Sequence, residues 1–298
     1  MFDIDPTQRR HRSRPESSGI RVSLKPRDRR WLEALATHGP LSSRMLHAFT
    51  ATEKPSLKSA LKRLTDLTHE TNTPHGSAYL YRPPAQLNHY KAKNRPAIYD
   101  LTPAAYKALE REKADLTRST GPFWHQCMVA ETTASIELAC LDCADRSFIS
   151  GQYILDRAEA RLAVDMSITN PRTEKEERHR LIPDAIFAIE YLINGQKKYR
   201  SFTVECDRGT EPITSKSFAR KSYYRSLLQY DKFLRNRMQQ KTYGLKSSMR
   251  LVYVFSSEAR QKSFDRLKSE LNCTAFISTI FLGRDFKRKL KESYIDLK

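Results

Sequence analysis

Residues 202–212 read FTVECDRGTEP, and the alternation of its acids decides how the second half of the chain is built. A strand presents every second residue to one face. Phe202, Val204 and Cys206 therefore share one face, while Thr203, Glu205 and Asp207 share the other. Two carboxylates side by side on one face repel each other, so the pattern calls for a cation or a basic partner.

Upstream, LIPDAIFAIE (181–190) reads as a second strand opened by Pro183, a residue suited to strand starts and edges. On the same period Asp184 points with Ile186, away from Ala185, Phe187 and Ile189. Pairing this strand with 199–207 brings Asp184, Glu205 and Asp207 to one patch, a site for a hard divalent ion such as Mg²⁺ or Mn²⁺. Glu131 is a fourth candidate ligand, because it shares a helical stripe with Cys127, Met128, Ala134 and Leu138 and needs either a metal or a basic partner there. Glu211 is a looser one. Lys221 falls in the first two turns of a helix expected over about 216–237, where it either leans over the acids to stabilise a phosphate or sits as a surface lysine. Tyr223, Tyr224 and Tyr230 are candidate nucleophiles or packing residues, and His125 is a general base or a helix-start residue.

Around these segments the second half reads as a helix at about 124–144, then strands near 147–155, 182–190 and 199–207. The helix over 216–237 follows, then the strand MRLVYVFS from 249, the helix SEARQKSFDRLKSEL and the strand AFISTIFLG. The last two strands are nearly continuous apolar runs, as expected where both faces are covered.

The first half has a different character. Trp31, Leu32 and Leu35 mark a helix ending at Gly39-Pro40, and Met45, Leu46 and Phe49 mark a second. A third begins near Pro55 with Leu57, Leu61 and Leu64 as its buried stripe, leaving Ser59, Lys62 and Arg63 open. Two aromatic-rich segments, AYLYRPP and RPAIYDLT, read as a ribbon, and TPAAYKALEREK opens a closing helix. Three helices, a ribbon and a helix make the order of a winged helix-turn-helix, whose third helix enters the major groove. Ser59, Lys62 and Arg63 would then face DNA, with Lys91, Lys93 and Arg95 on the wing; a protein-interaction module of the same fold is the other reading. The expected organisation is a flexible basic arm (1–26), this winged module (27–112), a polar Gly-Pro linker (113–123) and an α/β mixed-sheet domain with a basic tail (124–298).

Composition points to the same partner. Lys and Arg number 53 against 34 Asp and Glu, a net charge of +19 that implies a polyanion, by default nucleic acid. No run of 18 apolar residues and no hydrophobic signal core is present, so a cytoplasmic protein without a membrane partner is expected. Five cysteines, with only Cys140 and Cys143 at close spacing, read as buried thiols.

The element order, PD in LIPDAIF and E-x-D in VECDRGTEP resemble the restriction-endonuclease-like nucleases of the PD-(D/E)xK type. The fuller pattern is closer to the plasmid replication-relaxation family: a winged helix with GPLSSRML, a helix opening with His125 and Glu131, then PD, ECDRGTEP and a Lys/Tyr-rich helix. It is also similar to the mobilisation relaxases with an endonuclease-like catalytic domain. The likeness covers roughly residues 28–285. It implies metal-dependent nicking of one strand of double-stranded DNA at a plasmid or transfer origin, alongside other mobilisation or replication proteins, with Asp184, Glu205 and Asp207 as metal-binding acids. The general motif has Lys where Asp207 stands; either Lys221 takes that role or the site holds metal without efficient cutting. Two functions stay open: a Mg²⁺-dependent nickase or relaxase, and a non-catalytic DNA-binding regulator or origin-recognition accessory on a degenerate nuclease fold. A general endonuclease of defence or repair is a third.

Overall fold

The computed structural model describes residues 15–50, 56–88, 95–111, 121–273 and 277–281. The first fourteen residues of the expected arm, Lys91 and Lys93, and the basic C-terminal tail lie outside these. The chain divides into two compact units, Met1–Leu116 and Thr117–Lys298. It is a mixed α/β protein with nine α-helices among the described residues.

The first unit runs α1 (Pro26–His38), β1 (Leu41–Ser42), α2 (Ser43–Ala48), α3 (Leu57–His69), β2 (Leu80–Tyr81), β3 (Ile98–Leu101) and α4 (Pro103–Ala108). Its small sheet has the order β1-β3-β2, antiparallel throughout. The buried face of α1 carries Trp31, whose indole nitrogen donates to the Leu46 carbonyl at 2.7 Å and ties α1 to the end of α2. Ser42, Ser56 and Thr102 cap α2, α3 and α4 by accepting a backbone N–H three residues on, as short polar side chains do at helix starts.

On α3 the buried stripe lies three residues on from the expected one, about 60° round the helix. Ala60, Leu64 and Leu67 are buried, whereas Leu57 and Leu61 are 42% and 39% exposed. Both sets keep the same helical spacing and share Leu64, so spacing alone could not choose between them. The corrected phase leaves Leu57, Lys58, Ser59, Leu61 and Lys62 exposed. It also turns Arg63 inward: its guanidinium binds the fully buried Asp28 at 2.6 Å and the Ser23 carbonyl at 2.6 Å. Arg63 is thus a structural cation and not the open-face residue expected.

Residues 16–23 are not a free arm either. Ser17 and Ser18 hydroxyls donate to the buried Glu70 carboxylate at 2.9 and 2.7 Å, and Val22 N–H donates to the Asn72 carbonyl at 2.9 Å. This segment is fastened along the C-terminal end of α3.

The second unit is built on a five-stranded sheet of order β10-β9-β8-β7-β4. Strand β4 (Arg146–Ser150) is antiparallel to β7 (Ala185–Ile193), and β7 is antiparallel to β8 (Gln196–Asp207). Strands β8, β9 (Met249–Phe255) and β10 (Ile277–Phe281) run parallel. Asn194 and Gly195, both at positive φ, make the two-residue turn between β7 and β8. Helix α5 (Phe123–Leu141) covers one face, packing Met128, Val129 and Ile136 on Phe187, Phe202, Val204 and Val252. The other face carries α6 (Gly151–Ala158), α7 (Tyr223–Arg235), α8 (Met238–Tyr243), α9 (Glu258–Glu270) and a two-stranded ribbon, β5 (Val164–Thr169) with β6 (Glu176–Leu181).

Two boundaries and one added element differ from expectation. The strand at 147–155 stops at Ser150, whose hydroxyl caps α6, and Ile154 and Leu155 bury a helical stripe instead. The ribbon β5–β6 was not anticipated. The long helix starts at Tyr223 and not near 216, because the backbone carbonyls of Lys216, Phe218 and Ala219 are taken by the Arg172 and Arg225 guanidiniums. Lys221 therefore stands in the loop before α7. No helix among the described residues is long and apolar enough to cross a membrane.

Candidate active site

The antiparallel register of β7 and β8, with Ala185 opposite Val204, carries on one step to set Asp184 against Glu205. The Asp184 N–H donates to the Val204 carbonyl at 3.0 Å, which holds this pairing at the strand end. The side chain of Asp184 then spans its neighbours: Oδ2 accepts the Cys206 N–H at 2.7 Å, and Oδ1 meets His125 Nε2 at 2.9 Å. His125 comes from the first turn of α5. The hydrogen bond to Asp184 raises the imidazole's pKa against the opposing effect of burial.

Glu205 is 2% exposed beneath α7. Its Oε1 accepts the Tyr230 hydroxyl at 2.5 Å, and its Oε2 lies 3.2 Å from Lys221 Nζ. Lys221 also pairs with Glu211 at 2.8 Å. Burial, opposed by the Lys221 charge and reinforced by Asp184, pushes the Glu205 carboxyl up to about 7. Burial works against the Lys221 charge too, yet Glu205 and Glu211 together hold its ammonium above the usual lysine range. An acid driven so far up by its surroundings, beside a second acid and a lysine, is the kind of group that accumulates at functional sites.

Asp207 has a different partner. Its carboxylate, 2% exposed overall, meets Arg260 Nε of α9 at 2.6 Å, and the same guanidinium reaches the Tyr223 hydroxyl at 3.0 Å and the Glu211 carbonyl. The expected patch of three acids is thus two acids and a separate ion pair. Glu131 is exposed on α5; it lies six residues beyond His125, about 240° further round the helix. Among the described residues no group of three His, Cys, Asp or Glu side chains is arranged to hold a metal ion. The cysteines are all free thiols; Cys140, Cys206 and Cys273 are buried, as expected from the sequence, whereas Cys127 and Cys143 are half-buried. The structure places Ser59 and Lys62 on the exposed side of α3 and leaves Arg95 exposed in the segment leading to β3.

Two contacts had no local signal in the sequence. Arg260 is 53 residues from Asp207, and Tyr230 is 25 residues from Glu205.

The raised Glu205 sets a pH dependence. Its ordinary value is 4.5 and its folded value about 7, so the chain takes up a proton on folding between these. That stabilisation is complete below about pH 4.5 and is lost as pH climbs through 7. Denaturant unfolding in EDTA is expected to show stability falling by about 2–3 kcal/mol from pH 5 to pH 8 on this account. Glu205→Gln, which keeps the shape of the neutral acid but cannot ionise, flattens that fall; parallel curves for the two proteins would refute the assignment.

A family model described as replication-relaxation matches residues 32–248, a span that includes Asp184, Glu205 and Lys221 but stops short of Arg260. No curated protein and no solved structure matches the chain.

Proposed function

The chain belongs to the replication-relaxation family, and from that premise we propose that it nicks one strand of DNA at a plasmid or mobile-element origin with the help of Mg²⁺ or Mn²⁺. The observation that carries this reading is the register that sets Asp184 opposite Glu205 at the ends of two paired strands, with Lys221 held on Glu205. The order α5, β4, β7, β8, α7, β9, with α6 and the β5–β6 ribbon inserted after β4 and α8 after α7, supports it by its likeness to the helix–three strands–helix–strand order of the PD-(D/E)xK nucleases. In that comparison Lys221 supplies from the loop the charge that the motif's lysine supplies from the strand, and Asp207 belongs to the fold's ion pairs.

The donor set suits the ion. Magnesium is commonly held through one or two carboxylates, with waters and substrate phosphate oxygens completing its shell, so a third protein acid is not required. Asp184 and Glu205 would hold it, and when bound it would polarise the scissile phosphate. Lys221, fixed between Glu205 and Glu211, places a permanent positive charge where the phosphate gains negative charge. His125 orients Asp184 from the far side. Of the candidate tyrosines, Tyr223 and Tyr230 are buried with hydroxyls engaged by Arg260 and Glu205, and Tyr224 is half-buried, which favours water over Tyr223 or Tyr230 as the attacking group.

The first unit supports origin recognition. Its element order and its β1-β3-β2 sheet support a winged-helix reading, in which the exposed side of α3 would offer Ser59 and Lys62, joined by Lys58, to a major groove.

One observation favours a second reading, a DNA-binding regulator without cleavage: all four carboxylate oxygens of Asp184 and Glu205 already have protein partners. A supercoiled plasmid carrying its own origin separates the two. We expect open-circular product with Mg²⁺ or Mn²⁺, none in EDTA, and no DNA-linked protein on a denaturing gel. Tight binding in EDTA with intact supercoils under every divalent ion would establish the regulator.

A further inference from the structure

Between β8 and α7 the chain runs through fifteen residues, Arg208 to Ser222, with neither helix nor strand. Loops of that length inside a compact unit are uncommon, and most are either functional or disordered. This one is held by protein bonds at many points. Tyr223 and Tyr224 N–H groups donate to the Pro212 and Ile213 carbonyls at 3.1 and 3.0 Å. Arg172 donates to the Lys216 carbonyl at 2.7 Å, Arg225 to those of Phe218 and Ala219, and Arg260 to that of Glu211. Phe218 packs edge-on to His179 at 5.3 Å, and Lys221 anchors the loop's end to Glu205.

Three arginines thus hold the loop by its backbone. Arg208, Lys216 and Arg220 are exposed on this loop and make no ion pair among the described residues. The loop's one acid, Glu211, is committed to Lys221 and Tyr253. Holding three like charges on a fixed loop is unfavourable in isolation, and an anion with repeated charges relieves it. We propose that Arg208, Lys216 and Arg220 form a clamp for the phosphate backbone of duplex DNA, leading the strand to the Asp184–Glu205 pair. The identity of the polyanion rests on the function proposed above; the clamp itself rests on the loop's geometry and charge.

The test is the salt dependence of duplex binding by the full chain in EDTA, followed by fluorescence anisotropy on a duplex lacking the origin sequence. Each phosphate contact contributes about 0.9 to the slope of log K against log salt. Arg208→Ala/Lys216→Ala/Arg220→Ala is expected to lower that slope by about two to three, and to weaken binding roughly a hundredfold at 0.15 M salt. Arg237→Ala/Lys241→Ala/Lys246→Ala removes the same charge from the exposed surface around α8 and is expected to lower it by less than about one. Equal losses in the two variants, or an unchanged slope in the first, overturn the clamp. No cleavage by the wild type under any metal, with the slope loss intact, removes the nicking reading and keeps the clamp. A wild-type chain with no affinity for the duplex overturns both.

Discussion

Asp184→Asn is expected to slow nicking of supercoiled plasmid in Mg²⁺ by about a thousandfold, a loss of about 4 kcal/mol of transition-state stabilisation. DNA affinity in EDTA is expected to stay within about twofold, because the change removes a metal ligand and leaves the exposed cations in place. The carboxamide keeps the shape of the side chain and an oxygen for the Cys206 N–H, so the strand end is preserved. Melting temperatures of the two proteins, measured alongside, separate a lost ligand from a lost fold. Nicking within tenfold of wild type would remove Asp184 from the chemistry.

The second large effect is on stability. Arg260→Met leaves Asp207, whose side chain is 1% exposed, as a buried charge without its cation. Breaking such a pair from one side costs about 3–5 kcal/mol, which for a unit of this size lowers the melting temperature by roughly 10 °C. The variant also strips a donor from the Tyr223 hydroxyl and from the Glu211 carbonyl. Adding Asp207→Asn is expected to recover most of the loss, since the charge that needed Arg260 is then gone. The double variant also asks what Asp207 does. If its carboxylate serves the fold, the double variant retains nicking within about tenfold; if Asp207 binds the metal, nicking disappears while the melting temperature recovers.

The alternation at 202–207 made the strand and its acid face legible, and Pro183 marked where the partner strand begins. Pairing those two strands was enough to bring Asp184 to Glu205, because antiparallel register fixes which side chains oppose. The same reasoning could not separate Asp207 from them. Its partner arrives from α9, and long-range ion pairs leave no periodic trace. Glu131 misled because its stripe contained apolar residues, while α5 is buried at residues such as Ala130, Thr132, Thr133 and Ser135 and its polar positions carry little directional information. On α3, two leucines on the exposed side drew the phase about 60° off and placed Arg63 outward. The ribbon β5–β6 did leave a signal, since VDMSIT alternates buried and exposed without interruption. Its partner EERHRL hides the pairing under charge, with Leu181 its only apolar residue. Lys221 was correctly brought to the acids but by the wrong element, because three loop carbonyls captured by arginines stop the helix from starting earlier.

Direct binding of Mn²⁺, followed by electron paramagnetic resonance, puts the whole reading at risk in one titration. One ion per chain should bind to the wild type and to the Asp207→Asn/Arg260→Met variant, and none should bind at the same concentrations to Asp184→Asn or Glu205→Gln. An ion that binds all four proteins alike, or none of them up to millimolar Mn²⁺ with duplex DNA present, would contradict it.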